Sequence, residues 1–271
     1  MIRFLILAAY FELTMYLELS GKLDQYINIQ YSYLAYISMV LSFLLAMVQL
    51  YTWMKNISVH SHMTGKLAKL TSPFIVVLPV LIGLLVPTVS LDSTTVSAKG
   101  YTFPLAAGSS RSGVSDDGTS VQYLKPDTSL YFTKSAYQRE MRQELKKYQG
   151  SSPLTITSEN YMEVMELIYL YPDEFMNRDI QYTGFVYNEP DHDKYQFLFR
   201  FGIIHCIADS GVYGLLTTGN QSHFKNNTWL KVKGRLQTEY DKNLSQTLPV
   251  LHIQEVKETK QPSNPYVYRV F

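Results

Sequence analysis

The sequence predicts a membrane α-helical N-terminal part with three spans, followed by an α+β extracytoplasmic domain with a small OB-like β-barrel. Three observations predict it. Residues 1–90 hold only five basic and three acidic side chains, whereas the other 181 carry 19 and 20. Two long uncharged runs lie in that charge-poor part, each of membrane-crossing length. Five short segments of alternating apolar and polar residues, separated by turn residues, crowd the C-terminal part.

The elements follow in order. Ile2 to Leu19 reads as a first span interrupted by Glu12 and Glu18. A cleaved signal peptide is the rival, but no small-residue cleavage site follows the apolar run. Glu18 can sit at the membrane interface, while Glu12 falls near mid-depth, where a carboxylate is costly. It is either a pathway or partner contact or a protonated or paired group facing another helix. Tyr31 to Met54 is an uncharged second span with Tyr31, Tyr33, Tyr51 and Trp53 near its ends as interfacial rings. Ser72 to Leu91 is an uncharged third span, with Pro79 and Pro87 as kink positions.

Loop charge sets the orientation. Residues 55–71 carry Lys55, Lys66 and Lys69 and no acid, which places this loop in the cytoplasm. The chain beyond about residue 91 is then extracytoplasmic. His60 and His62 in the loop have a ligand-like spacing but cannot complete a site, because a closed site takes about four ligands.

Residues 92–127 are rich in Ser, Thr, Gly and Asp and read as a flexible linker. The domain over 128–271 opens with two helices, Ser129 to Gln149 and Ser158 to Tyr171, the second with Ser158 as N-cap. The strand patterns are Asp179 to Tyr187, Tyr195 to Ala208, Gly211 to Thr218, Thr228 to Thr238 and Leu248 to Val256. Gly184, Gly202 and Gly234 inside them suit the sharp coiling of a five-stranded barrel.

The chemistry-bearing candidates gather at the end of the second strand. Phe197, Phe199 and Phe201 fall on one face, with Gln196 and Arg200 on the other. A bulge at Gly202 is expected to shift the register beyond it. His205, Cys206 and Asp209 then form a candidate soft-metal site for which zinc is the best match. The bland alternative is a buried cysteine, a surface histidine and an aspartate opening a turn. Strict alternation points His205 and Cys206 to opposite faces, so a shared ion requires a bulge. Asp191, His192 and Asp193 form a second polar loop that a hairpin turn explains equally well.

Several functions are disfavoured. The formal net charge is +1 and no basic field or RNA-binding signature occurs, which argues against nucleic acid. The lone cysteine allows no internal disulfide. No P-loop, GxSxG or HExxH occurs, and no third group orients a Cys206–His205 pair, so an enzyme is not expected.

Several stretches, in matching order over nearly the whole chain, resemble the YcgQ-like family of bacterial membrane proteins, described as permease subunits. They are SGKLDQYI before the second span, LPVLIGLLVPTVSLDSTTVSAKG at the third, ENYMEVMELIYLYPDEFMNRDIQYTGFVY, and FLFRFGIIHCIADSGVYG. The family signature has paired cysteines where this chain has His205 and Cys206, which weakens a thiol-redox reading more than a metal-binding one. The family's His-rich loop shrinks here to His60 and His62. The resemblance implies a polytopic membrane permease as partner within the lipid bilayer, an accessory-subunit role, and a link to metal homeostasis. A purely structural or interaction module without a ligand is the alternative.

Overall fold

Three long apolar segments precede the first strand, and each folds as a helix. The computed structural model describes residues 2–57, 65–86, 89–101, 134–150, 153–190, 195–219, 223–241 and 246–269. The chain divides into two compact units, Met1–Ser90 and Leu91–Phe271.

The first unit contains α1 (Ile2–Leu19), α2 (Ser32–Met54) and α3 (Lys66–Leu85). Between α1 and α2 lie two 3-10 turns, the second capped by buried Asn28, whose Oδ1 accepts the Gln30 N–H at 3.0 Å. One side of α1 packs on both neighbours. The Phe11 and Phe43 rings lie 5.4 Å apart, and the Tyr10 hydroxyl donates to the Val76 carbonyl at 2.7 Å. Leu13 covers Gly83, where an added Cβ would lie 3.1 Å from it. The Tyr36 hydroxyl donates to Glu18 Oε1 at 2.6 Å.

Among the described residues one helix is long and apolar enough to cross a membrane: the 26 residues Ile29–Met54, with mean hydropathy 1.9. The other two expected spans do not reach that standard. Arg3, Glu12 and Glu18 interrupt α1, and the apolar part of α3 shortens to Thr71–Leu85.

The second unit contains α4 (Ser93–Lys99), α5 (Lys134–Lys147), β1 (Leu154–Thr155), α6 (Tyr161–Leu170), β2 (Asp179–Tyr187) and β3 (Gln196–Ile203), then β4 (Gly211–Thr218), β5 (Trp229–Asp241), β6 (Gln246–Glu258) and β7 (Val267–Tyr268). Strands β2, β5, β6, β4 and β3 pair in that order, and β3 pairs back with β2, so five strands close a barrel. Every barrel pair is antiparallel except β4 with β6. That is the strand order expected of an OB-like barrel.

Several local expectations change. The start of the stretch read as linker is helical: Asp92 caps α4 by accepting the Thr94 and Thr95 N–H groups, and Gly100 ends it at φ 72°. The remainder, 102–127, lies outside the described residues, as do His60, His62 and Asp191 to Asp193. Ser158 is not the cap of α6; its hydroxyl accepts a guanidinium N–H of Arg200 at 2.8 Å. The β3 ladder runs without interruption from Gln196 to Gly202, so no bulge forms there. The register shift lies instead between Lys233 and Gly234 in β5.

The two faces of the barrel wall differ in chemistry. On β5, Lys231, Lys233 and Arg235 point outward opposite Thr183, Gln181 and Asp179 of β2. The alternate residues Leu230, Val232 and Leu236 are buried with Ile180 and Tyr182 in the inner core. Helix α6 adds Tyr161, Met165, Ile168 and Tyr169 to that core. Its phenols bond backbone groups of β4. Tyr161 donates to the Tyr213 carbonyl at 3.2 Å. Tyr169 donates to the Gly214 carbonyl and accepts the Gly214 N–H. Burial pushes both phenols above their ordinary pKa.

A carboxyl pair joins α5 to α6. The Glu163 carboxyl lies beside that of Glu144, and Lys147 Nζ lies 3.9 Å from Glu163 Oε1. Burial, then Glu144, pushes the Glu163 carboxyl up to about 7. The folded state therefore holds a proton that the unfolded chain releases near 4.5. This stabilisation is complete below that value and is lost as pH rises through about 7. We expect Glu163→Gln to flatten the pH dependence of thermal unfolding over this window and to melt above wild type at about pH 8. Parallel melting curves for the two proteins across the range would contradict the pairing.

Candidate functional site

The stretch from His205 to Asp209 is not a continuation of β3. The strand ends at Ile203, and residues Ile207–Asp209 form a 3-10 turn. The turn brings His205 and Asp209 together: Nδ1 of His205 lies 2.7 Å from Asp209 Oδ2. The same carboxylate accepts the backbone N–H of His205 at 3.0 Å and of Cys206 at 2.9 Å. Asp209 is thus the acceptor that closes the turn, with the imidazole as its most exposed partner, 61% accessible. Cys206 is half-buried. Among the described residues no group of three His, Cys, Asp or Glu side chains is placed to hold a metal ion.

The energetics of the turn follow from those bonds. Asp209→Ala leaves two backbone N–H groups without their acceptor and should cost about 1–2 kcal/mol. His205→Ala removes an exposed imidazole that contacts Asp209 and should cost under about 1 kcal/mol. Unfolding of the purified chain measures both, with Cys206 as a built-in reporter whose thiol should react faster in Asp209→Ala. Equal costs for the two substitutions would mean that the imidazole, not the backbone, is what Asp209 serves.

The larger feature beside this turn is aromatic. Strand register carries the outer face of the barrel from Trp229 through Phe185 and Tyr187 to Phe197, Phe199 and Phe201. The Phe197 and Phe199 rings stack at 5.3 Å and those of Phe185 and Phe201 at 5.6 Å. OB-like barrels commonly bind ligands on this side of the wall. Here the chain covers it with its own segments. Val96 of α4 is buried against the cluster. The Tyr101 ring lies 4.9 Å from Phe197 and 5.7 Å from Phe199, and its hydroxyl donates to Glu189 at 2.6 Å. Further polar bonds fix the cover: Ser93 N–H to Asn227 Oδ1 at 2.8 Å, Leu91 N–H to the Tyr266 hydroxyl at 3.0 Å, and Lys99 Nζ to Ser210 Oγ at 3.2 Å.

The C-terminal tail is the second cover, and Arg200 holds it. Arg200 is 2% exposed. It donates to the carbonyls of Pro265 at 3.2 Å, Asn264 at 3.0 Å and Tyr266 at 3.0 Å. The Tyr161 ring lies under it at 5.5 Å and the Trp229 ring at 5.9 Å. Burial pulls its pKa below the ordinary value, yet a guanidinium remains charged at neutral pH. Immediately beyond, β7 pairs with Gly202 and Ile203 of β3, and Arg269 lies 3.6 Å from Glu166 of α6.

Sequence reasoning placed Arg200 opposite the phenylalanines but missed this role. The signal available was an arginine inside a strand whose neighbours on both faces are apolar. The cover helix also left a signal, an Asp92 N-cap and a Gly100 stop on either side of seven residues.

Comparison with known proteins fits this two-part organisation. The model of the DUF1980 N-terminal domain matches residues 2–102, and that of the DUF1980 C-terminal domain matches residues 131–269. The chain is 73% identical over its full length, and the full length of the relative, to a protein of Streptococcus mutans serotype c named "Putative two-component membrane permease complex subunit". It is 36% identical, again with both chains fully covered, to "UPF0703 protein YcgQ" of Bacillus subtilis.

Proposed function

The chain belongs to the DUF1980 family, and we propose that it is the membrane-anchored, non-enzymatic accessory subunit of a two-component permease complex. One observation carries the proposal. Every exposed large hydrophobic side chain among the described residues except Tyr240 lies between Ile2 and Val89. Water does not tolerate apolar surface on that scale, whereas a lipid bilayer and a partner's helices both cover it. The name of the Streptococcus mutans relative supports the identity of the partner as a polytopic membrane permease.

In this reading α1, α2 and α3 all span the bilayer. The short apolar part of α3 and the charged positions of α1 are accommodated by neighbouring helices, and the lysines of the 55–71 loop hold that loop in the cytoplasm. The barrel is then extracytoplasmic. Its role is to brace or contact the permease, because the wall where such barrels bind ligands is filled by the chain itself. A role in presenting zinc through His205, Cys206 and Asp209 is the second reading; it requires the turn to rearrange, because no three such side chains among the described residues are placed to hold an ion.

Purification of the tagged intact chain from its native membrane in mild detergent tests the proposal. A second integral membrane protein in fixed stoichiometry is expected. Recovery of the chain alone, under several detergents, would contradict it. Zinc content of the same preparation, compared with Cys206→Ala, decides the second reading: about one zinc per wild-type chain and none in the variant would support it.

A further inference from the structure

Resting on the subunit reading above, we infer that the Glu12 face of α1 is the surface that docks against the second component, through a membrane helix carrying a basic side chain at matching depth. Geometry isolates this face. Successive helical residues are turned by about 100°. Tyr10, Phe11, Leu13 and Glu18 all engage α2 or α3. Glu12 lies on the opposite side of the helix and is exposed. No hydrogen bond or ion pair to its carboxylate occurs among the described residues. It sits about 15 Å from the Ile2 end and about 10 Å from the Leu19 end, which is near the middle of a bilayer core.

Leu5, Tyr16 and Leu19 continue the same exposed stripe at helical spacing, and Ala8 and Ala9 flank it one turn before Glu12. Small side chains beside a polar one let a second helix approach closely. A carboxylate facing lipid at this depth is strongly disfavoured, while one facing a cation from another helix is satisfied. Among the described residues no cation pairs with Glu12, and Lys22 is engaged with Tyr16 at the helix end. The partner is thus recognised by charge at mid-depth and by a narrow apolar stripe around it.

The test uses the full chain in native membranes. Wild type should run in a complex heavier than itself, and Glu12→Lys and Glu12→Ala should each reduce that complex roughly tenfold or more, about 1.4 kcal/mol per tenfold. Glu12→Gln should fall between them and wild type. Because Glu12 is exposed on the side of α1 turned away from α2 and α3, the variants should keep their membrane fractionation and their unfolding midpoint. The probe of the carboxyl itself is dicyclohexylcarbodiimide, which modifies protonated carboxyls in apolar surroundings. Glu12 should be protected in the complex and modified in the isolated chain. An intact complex in Glu12→Lys, or modification of Glu12 within the wild-type complex, overturns the docking face and leaves the subunit reading standing. Absence of any heavier wild-type complex overturns both. A disulfide-linked dimer of the chain from Leu5→Cys or Tyr16→Cys, on a Cys206→Ala background, makes the occupant a second copy and overturns the heteromeric partner.

Discussion

Arg200→Ala is expected to lower the stability of the barrel by about 3–5 kcal/mol and to free the C-terminal tail for proteolysis. The magnitude follows from what one side chain satisfies. Three carbonyls from residues 264–266 and the Ser158 hydroxyl all take their hydrogen from it. Their removal from water is compensated only while the guanidinium is present, and each buried acceptor left open costs about 1–3 kcal/mol. Lysine is not an adequate replacement. Its compact ammonium has three donors rather than five in a planar fork, and it cannot lie flat on the Tyr161 ring. Arg200→Lys should therefore lose about half or more of the same stabilisation. Thermal unfolding and the appearance of a cut before Val267 under limited proteolysis measure the two effects. A wild-type melting curve for Arg200→Ala would show that β7 and the Arg269–Glu166 contact suffice to hold the tail.

Gly214→Ala is expected to disrupt the β3–β4 ladder more severely than Gly202→Ala, although both glycines are enclosed. At Gly214 an added Cβ would lie 2.0 Å from the Leu198 carbonyl oxygen and 2.9 Å from its carbon. Those are backbone atoms, and displacing them breaks the pairing with β3 and the Tyr169 contact with Gly214. At Gly202 the nearest atoms are Met162 Sδ and the Tyr213 ring, each at 2.7 Å. A methionine side chain is adaptable and a ring can rotate, so part of the clash relaxes. We expect a loss above about 4 kcal/mol for Gly214→Ala, enough to prevent accumulation of folded chain, and about 1–3 kcal/mol for Gly202→Ala. Folded yield and unfolding midpoint give the order directly. The reverse order would mean that β4 can move away from β3 without loss of the barrel.

Local pattern made much of the fold legible. Apolar length located α1 and α2, and period-two alternation with turn residues located β2 and β4 at the bounds they adopt. The closed barrel followed from five such segments and their internal glycines. What the sequence did not disclose depends on contacts between distant residues. Arg200 meets carbonyls more than sixty positions away, and the two-residue strand β7 is too short to show alternation. Helix α4 is Ser- and Thr-rich, a composition that suits a linker as well as a capped turn of helix. The site was legible in part. Proximity of His205 and Asp209 follows from four-residue spacing in a turn, but the strand was expected to continue through them. Two backbone amides instead take the Asp209 carboxylate, a role invisible to a search for ligand-type residues.

Sidedness tests the membrane reading most directly. On a Cys206→Ala background, single cysteines at Ser112 and Ser61 report the two sides of α3 in intact cells after the wall has been opened. A membrane-impermeant maleimide should label Ser112→Cys at once and Ser61→Cys only after the membrane is broken if, as proposed, three spans place the barrel outside and the 55–71 loop inside. Labelling of Ser61→Cys in intact cells, or silence of Ser112→Cys until lysis, would contradict an extracytoplasmic barrel carried by three spans.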